Sequence, residues 1–295
     1  MNLGQKAYTI GAGGFGKVRV YYSQQFKRKV IEKTIGPNFL RCREGNRVHL
    51  TTLIREYSNH EQMLKKETVF MALMKIAKLD CCVEILGFQS NPFRIIMEYC
   101  EGGDLRNLLN QKKLTLQDKI VITSQVLLAI QRIHKLGVVH GDLKCANIFL
   151  VNKYFPGNVR NIKIKIGDFG LSEIGGNLVF GGTPGFVAPE VFKSGGSFSS
   201  DIYSIGKVML EIMTQLPLQV ISEIHINNIH LIKQYLPNIL NVDLFYLLVR
   251  PCLELDPKKR PNATLVSEIF LKGSAALLTV VRKNIEANLR PKSAK

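Results

Sequence analysis

Short extended runs open the chain. From Ala7 to Ile35, apolar and polar residues alternate in AYTIGAGGFGKVRVYYS and again in FKRKVIEKTI, with glycines between, which predicts a β-hairpin region. Over residues 50–78 the period lengthens. Leu64, Glu67, Met71 and Met74 recur at three- and four-residue spacing, which predicts a helix. Two short strands are expected next, at 83–88 and 93–100, parted by Ser90-Asn91-Pro92. Beyond Glu101-Gly102-Gly103 the pattern is one of long helices, clearest over 116–136, where Ile122, Val126, Ile130 and Ile133 form a single apolar face. Strands first and helices afterwards predict an α+β fold in two lobes, with the boundary near Gly102-Gly103. There is no internal repeat, and the closing VVRKNIEANLRPKSAK reads as a basic helical end that frays after Arg290-Pro291.

Composition narrows the class. Of 295 residues, 46% are hydrophobic and only 21% charged, so the chain can bury enough apolar surface to offset its ordering entropy, and disorder is excluded. No run approaches the roughly 18 to 20 apolar residues of a membrane span. The opening MNLGQKAYTI lacks the layout of a secretory signal, and the six cysteines (Cys42, Cys81, Cys82, Cys100, Cys145, Cys252) contain no C-x-x-C pair, so reduced thiols and an intracellular setting, cytoplasmic or nuclear, are expected. The formal charge of +17 is spread over segments such as QFKRKVIEK and RCREGNR, with no dense tract and no interleaved aromatics. Direct nucleic-acid binding is therefore not expected.

Four motifs carry chemistry. Ile10-Gly11-Ala12-Gly13-Gly14-Phe15-Gly16-Lys17-Val18 fits G-x-G-x-x-G-x-V. Because LysValArgValTyrTyr after it reads as a strand rather than a helix, a strand-loop-strand flap over nucleotide phosphates is favoured over a dinucleotide-binding turn. Lys33 ends the extended Val30-Ile31-Glu32-Lys33. His140-Gly141-Asp142-Leu143-Lys144-Cys145-Ala146-Asn147 sets an acid, a cation and an amide within six positions between two apolar runs. Gly167-Asp168-Phe169-Gly170 closes a strand with an acid and a glycine, and Gly182-Thr183-Pro184-Gly185-Phe186-Val187-Ala188-Pro189-Glu190 follows. Singly, each of these has a plain structural explanation as a solvated lysine, a connector or a turn.

Together and in this order they resemble the eukaryotic-type protein kinase family, over about residues 8–270. The resemblance implies a bilobal protein-kinase-like fold, with a small, mostly-β N-lobe holding one helix (1–100), a larger mostly-α C-lobe (101–270), and a basic C-terminal helix and tail (271–295). It implies a Ser/Thr protein kinase that uses ATP and Mg2+ on protein substrates, Lys144 and Thr183 being the features similar to Ser/Thr-specific members. By resemblance, residues 10–18 cover the phosphates and Lys33 reaches them while paired with a helix carboxylate. Asp142 is the catalytic base, Asn147 and Asp168 hold Mg2+, Glu98 and Cys100 lie in the adenine-binding hinge after Met97, and Asp104 meets the ribose. The helix carboxylate is assigned to Glu67 rather than Glu56 or Glu61, because Phe70, Met71 and Met74 follow it at +3, +4 and +7 and mark a buried face. Glu190 with Arg260, and Asp201, resemble structural braces of the lower lobe.

Three departures stand out. Gly141 replaces the arginine that in this family meets an activation-segment phosphate, and Ser172 and Thr183 are the only hydroxyls in LSEIGGNLVFGGTPGFV, so activity without segment phosphorylation is expected. Ile31 and Glu32 stand where the family has alanine and an aliphatic residue, which predicts a tighter adenine slot. Residues 37–47 and 153–158 read as surface insertions. The alternative reading is a catalytically weak pseudokinase serving as a nucleotide-binding scaffold.

Overall fold

The computed structural model describes residues 8–13, 16–35, 50–111, 114–235 and 242–274. The chain divides into two compact units, one of Met1–Glu101 with Lys165–Ser172, the other of Gly102–Ile164 with Glu173–Lys295. The first unit thus recruits a segment far along the chain, which a linear division at residue 100 does not foresee.

In the first unit, strands β1 (Tyr8–Gly13), β2 (Gly16–Ser23), β3 (Arg28–Thr34), β4 (Ile85–Ser90) and β5 (Phe93–Glu98) form an antiparallel sheet in the order β1-β2-β3-β5-β4. The period-2 pattern sets its faces: Val30 is buried with Tyr21 and Ile96 on one side, covered by Phe26 and Leu86, while Ile31 and Lys33 project to the other. Helix α1 (Leu50–Ile76) packs on β4 and β5, and its Leu64, Phe70, Met71 and Met74 are all buried. It stops two residues short of the expected end, and Lys78 just beyond turns left-handed at φ 54°. The strands after it are 85–90 and 93–98 rather than 83–88 and 93–100. Val83 is drawn out of the sheet because its N–H donates to Ile166 O at 2.8 Å, while the Ile166 N–H donates to Cys81 O at 2.8 Å. Those two bonds are part of what attaches residues 165–172 to this unit.

The second unit is mostly helical. Strand β6 (Gly103–Asp104) leads into α2 (Leu105–Asn110), then α3 (Leu116–Lys135), β7 (Val138–Val139), β8 (Ile148–Leu150), β9 (Ile164–Ile166, whose last residues enter the first unit), β10 (Glu173–Ile174), α4 (Val191–Ser194), α5 (Phe198–Thr214), α6 (Leu218–Glu223), α7 (Val242–Cys252) and a helix over 263–274. Ile122, Val126, Ile130 and Ile133 of α3 are all buried, each stabilising the fold by about 1.5–3 kcal/mol. Helix α5 is buried from residue 200 to 213 and forms the centre of this unit. The 153–158 insertion is more than a solvated loop. Tyr154 Oη and Gly157 N both donate to Asp118 Oδ2, at 2.6 and 3.2 Å, and Asp118 also completes a capping box with Thr115 at the start of α3. The 37–47 insertion, Cys42, Gly14, Phe15 and the tail from 275 lie outside the described residues. Among the described residues no helix is long and apolar enough to cross a membrane.

Candidate active site

In the first unit the β1–β2 hairpin carries the glycine-rich segment. Gly11 pairs with Val18, Ala12 with Lys17 and Gly13 with Gly16, so Ile10 to Gly13 and Gly16 to Val18 lie on two antiparallel strands, and a strand, not a helix, follows the glycines. On β3, Lys33 projects opposite Val30 and Glu32. Its Nζ donates to Glu67 Oε2 at 2.8 Å and to Asp168 Oδ1 at 3.0 Å. Glu67 of α1 is thus paired with Lys33, while Glu61 bonds Lys65 one turn along at 2.7 Å, and the side chain of Glu56 lies outside the described residues. Burial by itself would lower the Lys33 pKa, but Glu67 and then Asp168 outweigh it, raise the pKa above the ordinary lysine range and keep the ammonium charged. Asp168 holds φ 64°, a left-handed backbone uncommon outside glycine, which turns its carboxylate toward Lys33 while Phe169 is fully buried.

Glu98 and Cys100, expected by resemblance in an adenine-binding hinge, lie at the end of β5 and just beyond it. The Glu98 side chain is committed inside the fold, accepting the Glu84 N–H at 2.6 Å and pairing with Lys165, so any nucleotide contact at this position falls to the main chain. Cys100 is buried, and burial, with Glu98 adding to it, pushes its thiol up to about 12. None of the five described cysteines forms a disulfide. Glu32 is buried and paired with Arg94 at 3.2 Å, an ion pair at the position where the family it resembles has an aliphatic residue.

In the second unit Lys144, Asn147 and Thr183 meet around the carboxylate of Asp142. Asp142 Oδ2 accepts from Lys144 Nζ at 2.7 Å and from Asn147 Nδ2 at 3.2 Å, and Oδ1 accepts the Thr183 N–H at 3.0 Å and hydroxyl at 2.7 Å. Lys144 Nζ also donates to Thr183 Oγ1 at 2.7 Å, closing a ring of three side chains. Asn147 Nδ2 further donates to Asp142 O at 2.8 Å, which leaves its carboxamide oxygen as the side chain's remaining acceptor.

The loop is braced from α5. Asp201 Oδ2 accepts the His140 N–H at 2.7 Å and faces His134 Nε2 at 2.9 Å, and Oδ1 accepts the Gly141 N–H at 2.9 Å. Burial works to raise the Asp201 pKa, yet His134, His140 and the Gly141 amide prevail and hold the carboxyl below its usual range. Gly141 itself sits at φ 83°, where a residue with a Cβ costs about 1–2 kcal/mol, so the glycine suits this backbone as well as removing a side chain. Asp104 is an N-cap: its Oδ1 accepts the Asn107 N–H at 2.9 Å and its Oδ2 the Asn107 side-chain amide at 2.6 Å.

One group here had no sequence signal. Glu211 of α5 is fully buried and paired with Arg106 at 2.5 Å. Burial pushes its carboxyl up to about 7, against the opposing pull of Arg106 and the Cys145 thiol. Its folded-state pKa lies above the unfolded value of about 4.5, so the folded chain holds the extra proton between those values. The stability this proton contributes is complete below about pH 4.5 and is lost as pH rises to about 7, a change of roughly 3 kcal/mol. Urea denaturation at pH 5 and 7.5 should therefore show wild type losing about 2 kcal/mol relative to Glu211→Gln, and a pH-independent difference would refute the assignment.

The family model described as Protein kinase domain matches residues 5–269. The chain is 30% identical over 218 residues to a probable serine/threonine-protein kinase zyg-1 of Caenorhabditis briggsae, covering 72% of this chain and 27% of that protein. It is 31% identical over 242 residues to the serine/threonine-protein kinase Nek3 of Mus musculus, covering 76% and 44%. It is 31% identical over 288 residues to the cell cycle serine/threonine-protein kinase CDC5/MSD2 of Saccharomyces cerevisiae, covering 91% and 36%. The chain thus spans less than half the length of each of these relatives.

Proposed function

The chain belongs to the protein kinase family, and from that premise we propose that it is a serine/threonine kinase, transferring the γ-phosphate of Mg-ATP to Ser and Thr hydroxyls of protein substrates without a phosphorylated activation segment. The observation that carries this reading is the Asp142 carboxylate, gripped by Lys144, Thr183 and Asn147. A phosphoryl transfer needs a positioned acceptor hydroxyl and compensation of charge in a loose transition state. In this reading Asp142 accepts the hydroxyl proton, and Lys144 beside it offsets the growing negative charge. Lys33, kept cationic by Glu67 and Asp168, binds the α- and β-phosphates, under backbone amides of the 10–18 hairpin. Ile31, on the same strand face as Lys33, bounds the adenine slot together with the main chain at Glu98 and Cys100.

Each of the two residues expected to hold Mg2+ carries an oxygen of the kind a hard cation prefers: in the first unit Asp168 has a carboxylate whose side chain is 39% exposed, and in the second Asn147 has the carboxamide oxygen not used on Asp142. When bound, the ion neutralises phosphate charge. Asp104, with both carboxylate oxygens on Asn107, must give up part of its cap to reach a ribose.

Independence from segment phosphorylation rests on the two available hydroxyls. Ser172 is fully buried, and the Thr183 hydroxyl is engaged by Asp142 and Lys144. Unphosphorylated protein should transfer phosphate, and Ser172→Ala should keep its rate within about 3-fold. Loss of most activity in a folded Ser172→Ala protein would overturn this part of the reading.

A further inference from the structure

Within the first unit, a second polar network lies away from Lys33. Glu98 ends β5, and its Oε1 takes both the Glu84 N–H and the ammonium of Lys165, while the Glu98 N–H donates to Glu84 O at 3.0 Å. Both partners of the ion pair are nearly buried, with side chains 12% and 11% exposed. Lys165 sits three residues before Asp168, on the segment stitched to residues 81–83 through Ile166. The carboxylate of Glu84 in turn pairs with Lys75 at 2.9 Å and Arg28 at 3.3 Å, and Lys75 also donates to Ile85 O at 2.9 Å. Lys75 closes α1, the helix that carries Glu67, and Arg28 opens β3, the strand that carries Lys33.

Each member of the Lys33, Glu67 and Asp168 triad therefore stands on an element anchored at Glu84 or Glu98. The α1 and β3 anchors are partly solvent-exposed pairs and supplement extensive packing. The segment before Asp168 is short, Ile166 bonds its main chain to residues 81–83, and Lys165 gives it a charged anchor. A buried ion pair adds little stability relative to neutral groups of similar shape, so its effect is better sought in geometry.

We infer that Glu98 and Lys165 are positioning residues that hold the strand before Asp168 so that the Asp168 carboxylate stays within reach of Lys33. The inference rests on the kinase reading for its effect on rate, and on the fold alone for its effect on the strand. In Glu98→Gln/Lys165→Met neither charge is left unpaired, which protects folding. That variant should show amide hydrogen exchange about 10-fold faster over residues 166–170, with exchange in β3 and β5 unchanged. Its kcat should fall about 10-fold with KM for ATP within about 3-fold, as expected for misplacement rather than lost binding. Lys165→Arg, which keeps the charge, should retain wild-type exchange and kcat. Wild-type exchange over 166–170 in the double variant would overturn the proposal, as would an unchanged or raised kcat or a Lys165→Arg protein behaving like the double variant. An inactive wild type would refute the kinase reading, and the exchange measurement would still decide whether the pair holds the strand.

Discussion

Asp142→Asn is expected to lower kcat by about 10²- to 10⁴-fold while KM for ATP changes by less than about 3-fold, in steady-state assays at saturating acceptor. The magnitude follows from losing general-base assistance to the acceptor hydroxyl. The selectivity follows from where the groups stand: Asp142 is held by Lys144, Asn147 and Thr183 in the second unit, whereas the lysine assigned to the phosphates is held by Glu67 and Asp168 in the first. Asparagine is nearly isosteric, yet its amide group must present a donor either to Lys144 or to the Thr183 N–H, both donors themselves. Some loosening of the loop is therefore expected beyond the lost base, and Asp201, which holds the His140 and Gly141 amides, should limit it. A rate within 10-fold of wild type would remove Asp142 from the role of base.

The largest expected effect on stability is at Arg260. Its guanidinium is completely buried, bidentate to Glu190 at 2.6 and 2.9 Å, with further bonds to Ser199 O at 3.0 Å and Glu254 O at 2.8 Å, and it lies over the Tyr203 ring at 5.1 Å. Arg260→Met keeps much of the volume but strands a carboxylate and three carbonyls, those of Ser199, Glu254 and Leu255. Breaking one side of a buried pair costs about 3–5 kcal/mol. Against a total stability of about 5–15 kcal/mol, that is a large fraction, and it corresponds to a melting temperature lower by about 10 °C. Lysine should rescue little, since an ammonium cannot form the fork. Scanning calorimetry of wild type, Arg260→Met and Arg260→Lys checks this, and a shift under about 2 °C in the methionine variant would contradict it.

How far the molecule could be read from its residues depended on whether the signal was local. Glu67 was legible because burial of a helix face is written in the spacing of Phe70, Met71 and Met74, and the pairing with Lys33 followed. The α3 face was legible for the same reason. Strand ends were less so: Val83 has the character of a sheet residue, and only a bond to Ile166, far along the chain, removes it from the sheet. Lys165 was invisible because alternation in Lys163-Ile164-Lys165-Ile166 assigns both lysines to solvent, whereas Glu98 draws the second inside. Glu211 reads as one more polar position on α5 until the helix proves buried along its length. The departure at Gly141 was visible as a missing arginine, but not the φ of 83° that glycine satisfies there, nor the bond of its N–H to the Asp201 carboxylate 60 residues on.

The central claim is that this chain is an active Ser/Thr kinase rather than a scaffold of the same fold, and the most direct measurement is phosphoamino-acid analysis after incubation of unphosphorylated protein with γ-labelled ATP, Mg2+ and a mixed protein substrate. Label on serine and threonine, absent when Mg2+ is chelated, is the predicted result. No label from folded protein that binds Mg-ATP would contradict the account.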